Sequence, residues 1–154
     1  MRRKIENPNL TKVPEPRKPS ANMRVLYFAY GSNLSQEQMV RRCPSAQARV
    51  YARLAGYRLD FAGYSRMRSG AVATVVESPK GEVPGIIYSL TSSDLAVLDG
   101  FEGTAYNRVV MQVVTDAGRT VPTHVYVMSD DEMPGCPSSD YFNILLNAYK
   151  THGW

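Results

Sequence analysis

Histidine, cysteine and tryptophan are scarce in this chain, which has two, two and one of them respectively in 154 residues. Each shortage removes a class of chemistry. His124 falls inside a strand-like run and His152 stands near the C-terminal end. Neither accompanies a G-x-S-x-G elbow, so a Ser-His-Asp hydrolase has nothing to stand on, and His124 reads as structural. Cys43 and Cys136 lie far apart and form no C-x-x-C pair. That argues against a disulfide framework or a zinc site and for a reducing compartment, the cytoplasm. Cys43, beside Pro44 and after an arginine pair, is a candidate for a lowered thiol pKa, although no base stands near it in sequence. Phosphate-loop and dinucleotide glycine patterns are missing, as is any cluster of metal ligands, so neither metal nor cofactor is expected. No apolar run approaches the ~18 residues that span a bilayer, and the polar, Pro-bearing start is no signal core.

Positive charge is missing from most of the chain as well. The net charge is +4, yet residues 1–24 alone carry +5, from seven Lys/Arg against Glu6 and Glu15, which leaves −1 for the rest. A nucleic-acid partner is therefore disfavoured: the seven arginines between 41 and 68 have no base-stacking aromatic platform among them. Residues 1–22 contain Pro8, Pro14, Pro16 and Pro19 and little apolar material. Such a segment cannot bury enough surface to offset the entropy of ordering, and is expected to be a disordered basic leader. Residues 23–154 are expected to form a single domain, as a monomer or a homodimer.

What is present is mostly strand. Arg24 to Tyr30 is apolar and aromatic. Ala46 to Leu54, Tyr57 to Tyr64, Ala71 to Val76 and Val83 to Leu90 follow, the last two separated by Ser78-Pro79-Lys80-Gly81, with Gly85 marking a bulge or close approach. Tyr106 to Thr115 and Thr120 to Met128 flank the hairpin turn Asp116-Ala117-Gly118. Short helices are expected after Ser35, after Asp94 and after Ser138-Ser139-Asp140, the last with Tyr141, Ile144, Leu145, Ala148 and Tyr149 on one stripe. About seven strands in succession with three helices argue against a doubly wound sheet. The expected class is α+β, a small mixed β-barrel of six to seven strands flanked by short helices.

Two stretches can carry chemistry. The first strand stops at Gly31-Ser32-Asn33, where unpaired N–H groups ahead of a helix can hold an anion or a polarised oxygen. Gly31 also admits backbone angles closed to other residues and leaves the main chain open to a ligand. Taken alone, the stretch reads equally as a plain strand-turn-helix connection capped by Asn33 or Ser35. The second stretch is Leu98-Asp99-Gly100-Phe101-Glu102-Gly103. There Glu102 follows a short helix whose dipole disfavours an anion, and its neighbours Phe101 and Gly103 offer no cation. An inward fold of that loop would raise its pKa toward the range of a general base. Arg66 and Arg68, in a polar loop, are candidates for binding a carboxylate.

Taken together, Tyr27-Phe28-Ala29-Tyr30-Gly31-Ser32-Asn33-Leu34, Gly85-Ile86-Ile87-Tyr88, the Glu102 stretch with Tyr106, and Pro137-Ser138-Ser139-Asp140-Tyr141 resemble the gamma-glutamylcyclotransferase-like family, over about Val25 to Tyr149. The resemblance implies a cofactor-free enzyme acting on a small gamma-glutamyl substrate. The substrate's own α-amine attacks its γ-carbonyl, releasing 5-oxoproline and the free amine. It implies Glu102 as catalytic acid/base and Tyr27, Phe28, Ala29, Tyr30, Gly31, Ser32, Asn33, Tyr106 and Tyr141 as substrate-binding residues. The alternative expectation is a non-catalytic protein of the same fold that binds a small ligand or a partner.

Overall fold

The computed structural model describes residues 20–154. Five strands, β1 (Arg24–Ala29), β2 (Gln47–Ser65), β3 (Gly70–Thr91), β4 (Tyr106–Thr115) and β5 (Thr120–Met128), close into a barrel in the order β1-β3-β2-β4-β5. Three helices flank it: α1 (Gln36–Arg42), α2 (Ser92–Glu102) and α3 (Ser139–His152). Every strand pair is antiparallel except β1 with β5, which meet in parallel at Tyr27 and His124. The class is α+β, as the sequence pattern implies.

Five strands replace the expected six to seven because two expected pairs each run on as one. Ala46–Leu54 joins Tyr57–Tyr64 in β2, and Ala71–Val76 joins Val83–Leu90 in β3. Their ladder passes from Ala55 opposite Glu82 to Tyr57 opposite Glu77. Ser78-Pro79-Lys80-Gly81 is thus an excursion within a continuing ladder, not a chain reversal. Gly56, facing it with φ +83°, takes the matching kink.

β1 is buried on both faces, and its period-2 alternation divides the core. Tyr27 and Ala29 pack with Leu34, Met39, Leu95 and Leu98 under α1 and α2. Phe28 and Tyr30 pack with strand residues such as Leu54, Val75, Ile87, Val113 and Val125, and with Tyr141 and Leu145 of α3. Gly85 is a close-approach point: a Cβ there would collide with the Ala29 carbonyl and the Phe28 ring. This lets β1 press against β3 where the chain leaves the barrel for the turn at Gly31.

The helices are held by local chemistry first. Ser35, rather than Asn33, caps α1 by accepting from the Gln38 N–H. Thr91 caps α2, and Asp94 in its first turn accepts from the Ser45 N–H and hydroxyl at 2.9 and 2.5 Å. Leu95 and Leu98 bury the apolar stripe of α2, each worth ~1.5–3 kcal/mol. Phe101, on the last turn of α2, is 48% exposed. Among the described residues no helix is long and apolar enough to cross a membrane. The expected leader lies outside the described residues as far as residue 19. Beyond it, Ser20–Met23 turn back onto α2, with the Ser92 N–H donating to the Met23 carbonyl at 2.8 Å and the Ser93 N–H to that of Ala21 at 3.1 Å.

Candidate active site

Where β1 ends, Ser32–Leu34 form one 3-10 turn before α1 begins. Among the described residues the backbone N–H groups of Gly31, Ser32 and Asn33 have no protein acceptor, as expected at a helical start. Asn33, by contrast, is buried and saturated. Its Nδ2 donates to Tyr27 Oη at 3.0 Å and to Glu102 Oε1 at 3.3 Å. Its Oδ1 accepts from Gln38 Nε2 at 3.0 Å and Arg42 Nη1 at 3.3 Å. Two donors and two lone pairs are all used, so the amide can point only one way. Gln38 Nε2 also donates to Ser32 Oγ at 2.8 Å, which ties the turn to α1.

Glu102 is the last residue of α2, not a loop residue after it. Gly103 caps the helix with φ +74°, its N–H returning to the Asp99 carbonyl. Few residues other than glycine would end the helix this abruptly. The cap delivers the carboxylate to Asn33, across from the β1 turn. The Glu102 pKa stands raised from 4.5 to about 7: burial lifts it most, Arg42, Arg68 and the Asn33 hydrogen bond pull it down by less, and Asp99 adds a smaller upward push. The cations that local sequence denied it arrive through space. The Arg42 guanidinium lies 4.8 Å over the ring of Phe101, the neighbour of Glu102. Asn33 hydrogen-bonds Oε1, while among the described residues Oε2 has no hydrogen-bond partner.

Glu102 and the turn line a small cavity together with Tyr27, Tyr30, Gly31, Ser32, Asn33, Ala73, Tyr106, Tyr126 and Tyr141. It shares the wall formed by Ser32, Glu102, Tyr106 and Tyr141 with an outer vestibule. The tyrosines are fixed by the barrel. Tyr141 Oη accepts from the Ala73 N–H at 2.9 Å, Tyr106 Oη donates to the Ala73 carbonyl, and Tyr30 Oη donates to the Tyr126 carbonyl at 2.5 Å. Burial holds the phenols of Tyr27, Tyr30, Tyr106, Tyr126 and Tyr141 above their ordinary pKa. They are neutral walls, not bases.

The structure brings Tyr27, Tyr30, Gly31, Ser32, Asn33, Glu102, Tyr106 and Tyr141 to one cavity. Phe28 and Ala29 stand instead in the two halves of the core, because successive strand residues cannot all face one ligand. Gly31 has φ −112°, so its value is not a left-handed backbone. A Cβ there would stand 3.4 Å from Ala73 Cβ and 3.9 Å from Tyr141 Oη, on the cavity wall. Cys43 is buried, and burial reinforced by Asp94 pushes its thiol up to about 11, the reverse of an activated cysteine. His124 rests against Arg108 at 3.2 Å, away from the cavity. Of the two loop arginines, Arg68 lines the vestibule and Arg66 does not. Gln38, Arg42, Ala73 and Tyr126 are site residues that sequence reasoning missed. The first two stand four apart on α1, a spacing that places them on one helix face; Ala73 and Tyr126 carry no local signal.

Comparison with known proteins agrees with this geometry. The gamma-glutamylcyclotransferase of Homo sapiens is 36% identical over 135 residues, spanning 83% of this chain and 71% of that protein. The Mus musculus gamma-glutamylcyclotransferase is 34% identical over the same shares. A solved structure of a gamma-glutamyl cyclotransferase superposes with a TM-score of 0.79 at 33% identity, covering 85% of this chain and 81% of that one. Residues 27–143, from the first tyrosine of the β1 turn to just past Tyr141, match the profile of one family. The chain belongs to the gamma-glutamyl cyclotransferase, AIG2-like family.

Proposed function

We propose that this protein is a cofactor-independent gamma-glutamyl cyclotransferase in which Glu102 is the acid/base. The observation that carries the reading is a buried carboxylate with a pKa of about 7, facing a turn of free N–H groups across a small cavity. The α-amine of the glutamyl group attacks its own γ-carbonyl. The new C–N bond closes a five-membered ring, and the bond to the outgoing nitrogen then breaks. Ring closure needs no protein nucleophile; it needs a folded substrate and proton transfer. The substrate ammonium gives up two protons in becoming the ring amide, and the outgoing nitrogen gains two in leaving as an ammonium. Glu102 Oε2 relays them, as base and then as acid. A pKa near the working pH suits one group to both directions. The N–H groups of Gly31 and Ser32 would face the oxyanion that develops on the attacked carbonyl.

Nothing in the site or among the relatives favours a non-catalytic ligand-binding role. Incubation with gamma-glutamyl dipeptides and gamma-glutamyl amines should release 5-oxoproline. Glu102→Gln should lower kcat by ~10²–10⁴-fold with the circular dichroism spectrum retained. Undiminished turnover by that variant would remove Glu102 from the role.

A further inference from the structure

The vestibule outside Glu102 holds two cations that proton relay alone does not call for. Arg42 comes from the last turn of α1 and Arg68 from the loop between β2 and β3, and both line its wall. Each is held in place without being neutralised. Arg42 donates to the Asn33 side-chain carbonyl at 3.3 Å and lies over Phe101. Arg68 Nη2 donates to Gln38 Oε1 at 2.9 Å, and its guanidinium lies 5.5 Å from the Tyr141 ring centroid. Among the described residues the arginine ion pairs are Arg41–Glu37, Arg53–Glu82, Arg58–Asp60 and Arg108–Asp99, so neither vestibule arginine has a carboxylate within 4.0 Å. Amide oxygens and aromatic faces position the two planar forks and leave guanidinium N–H groups over for an anion.

The location says which anion. Glu102 belongs to both the inner cavity and the vestibule, so the reacting carbonyl belongs at their junction. With the glutamyl group inside, the outgoing amine lies in the vestibule. In a gamma-glutamyl amino acid the carboxylate of the outgoing part is two bonds from the nitrogen that Glu102 must protonate. A clamp for it has to sit beside Glu102, as these arginines do. We propose that Arg68, assisted by Arg42, binds the carboxylate of the leaving amino acid and selects gamma-glutamyl amino acids over gamma-glutamyl amines that lack one. This rests on the assignment of Glu102 as the cyclising acid/base.

The test measures kcat/KM for gamma-glutamyl-alanine and gamma-glutamyl-ethylamine in the wild type, Arg68→Met and Arg68→Lys. The ratio of the two substrates is the readout, because any effect of the substitution on glutamyl binding is common to both and cancels. The wild type should favour gamma-glutamyl-alanine. Arg68→Met should cut that preference tenfold or more, the range for a charge-assisted hydrogen bond, and Arg68→Lys should restore part of it. Product inhibition of the wild type adds a measurement that needs no variant: alanine should inhibit more strongly than ethylamine. A wild type that turns over both substrates without preference, or a preference that survives Arg68→Met, would overturn the clamp and leave cyclisation standing. Release of 5-oxoproline from neither substrate would overturn the activity and the clamp with it.

Discussion

Glu102→Gln removes a carboxyl group whose ionisation the fold penalises, and the penalty has a measurable size. An acid whose folded-state pKa is raised binds its proton more tightly in the folded chain than in the unfolded one, so stability is lost as pH rises between the two values. For Glu102 those values are 4.5 and about 7. At ~1.4 kcal/mol per pH unit, the cost is roughly 1 kcal/mol near pH 5 and roughly 3 kcal/mol near pH 8, where both states are ionised. Glutamine does not ionise and escapes the cost. Its own amide hydrogen bonds add an offset that is the same at both pH values and cancels in the difference. Chemical denaturation of both proteins should therefore show the variant's relative stability to be about 2–3 kcal/mol greater at pH 8 than at pH 5. In melting temperature this is on the order of 5–10 °C for a chain of this length. A stability difference that does not change with pH would mean that Glu102 ionises as it does in water. The physical basis for its service as a base near neutrality would then be gone.

Three further outcomes follow from the same contacts. The pH profile of kcat/KM should carry a rising limb near pH 7 as Glu102 ionises, and Arg42→Met should move that limb to higher pH because a cation that lowers the Glu102 pKa is lost; a limb that stays in place or moves to lower pH would contradict the assignment. Gly85→Ala should cost at least ~1–3 kcal/mol, the usual range for overpacking, because the new methyl meets the backbone carbonyl of Ala29; a neutral effect on the melting temperature would show that β1 and β3 can separate there. Titration of thiols in the native protein at pH 8 should find Cys136 fast and Cys43 slow, since one is exposed and the other is buried with its pKa near 11; equal rates would contradict that contrast.

The parts of the molecule legible in the sequence are those set by neighbours along the chain. Gly31-Ser32-Asn33 ended a strand and Ser35 began a helix because turn and cap chemistry act within a few residues. The apolar, aromatic run from Arg24 to Tyr30 announced a strand, and the Asp116-Ala117-Gly118 turn announced its hairpin. Ser78-Pro79-Lys80-Gly81 misled for a physical reason. Turn residues favour any departure from the ladder, and whether the chain then reverses depends on β2 continuing opposite it, about twenty residues away. Glu102 was found with its charge environment half wrong. Its flanks hold no cation, and Arg42 reaches it only because α1 packs beside α2 and Phe101 offers the guanidinium a ring. Arg68 is visible as a loop arginine, but its separation from Arg66 needs the partner Gln38 on α1.

The energetics of the site turn on opposed influences on Glu102, of which burial is the largest. Burial alone would drive the Glu102 pKa beyond neutrality and leave a good acid but a base rarely ionised. Arg42 and Arg68 alone would hold it near or below 4.5 and leave a carboxylate too weak to take an ammonium proton. Asn33 ties the two together, since the amide that donates to Glu102 Oε1 accepts from Arg42. Any motion of α1 that shifts the arginine also shifts the carboxylate. The arginines are therefore not spectators even when the outgoing amine has no charge. When it does carry a carboxylate, that anion draws on the same guanidinium groups that hold the Glu102 pKa down. On the proposed clamp, occupancy of the vestibule would weaken their hold on Glu102 and raise its affinity for a proton as the substrate ammonium comes within reach. On that proposal, one pair of side chains sets both substrate selection and proton affinity.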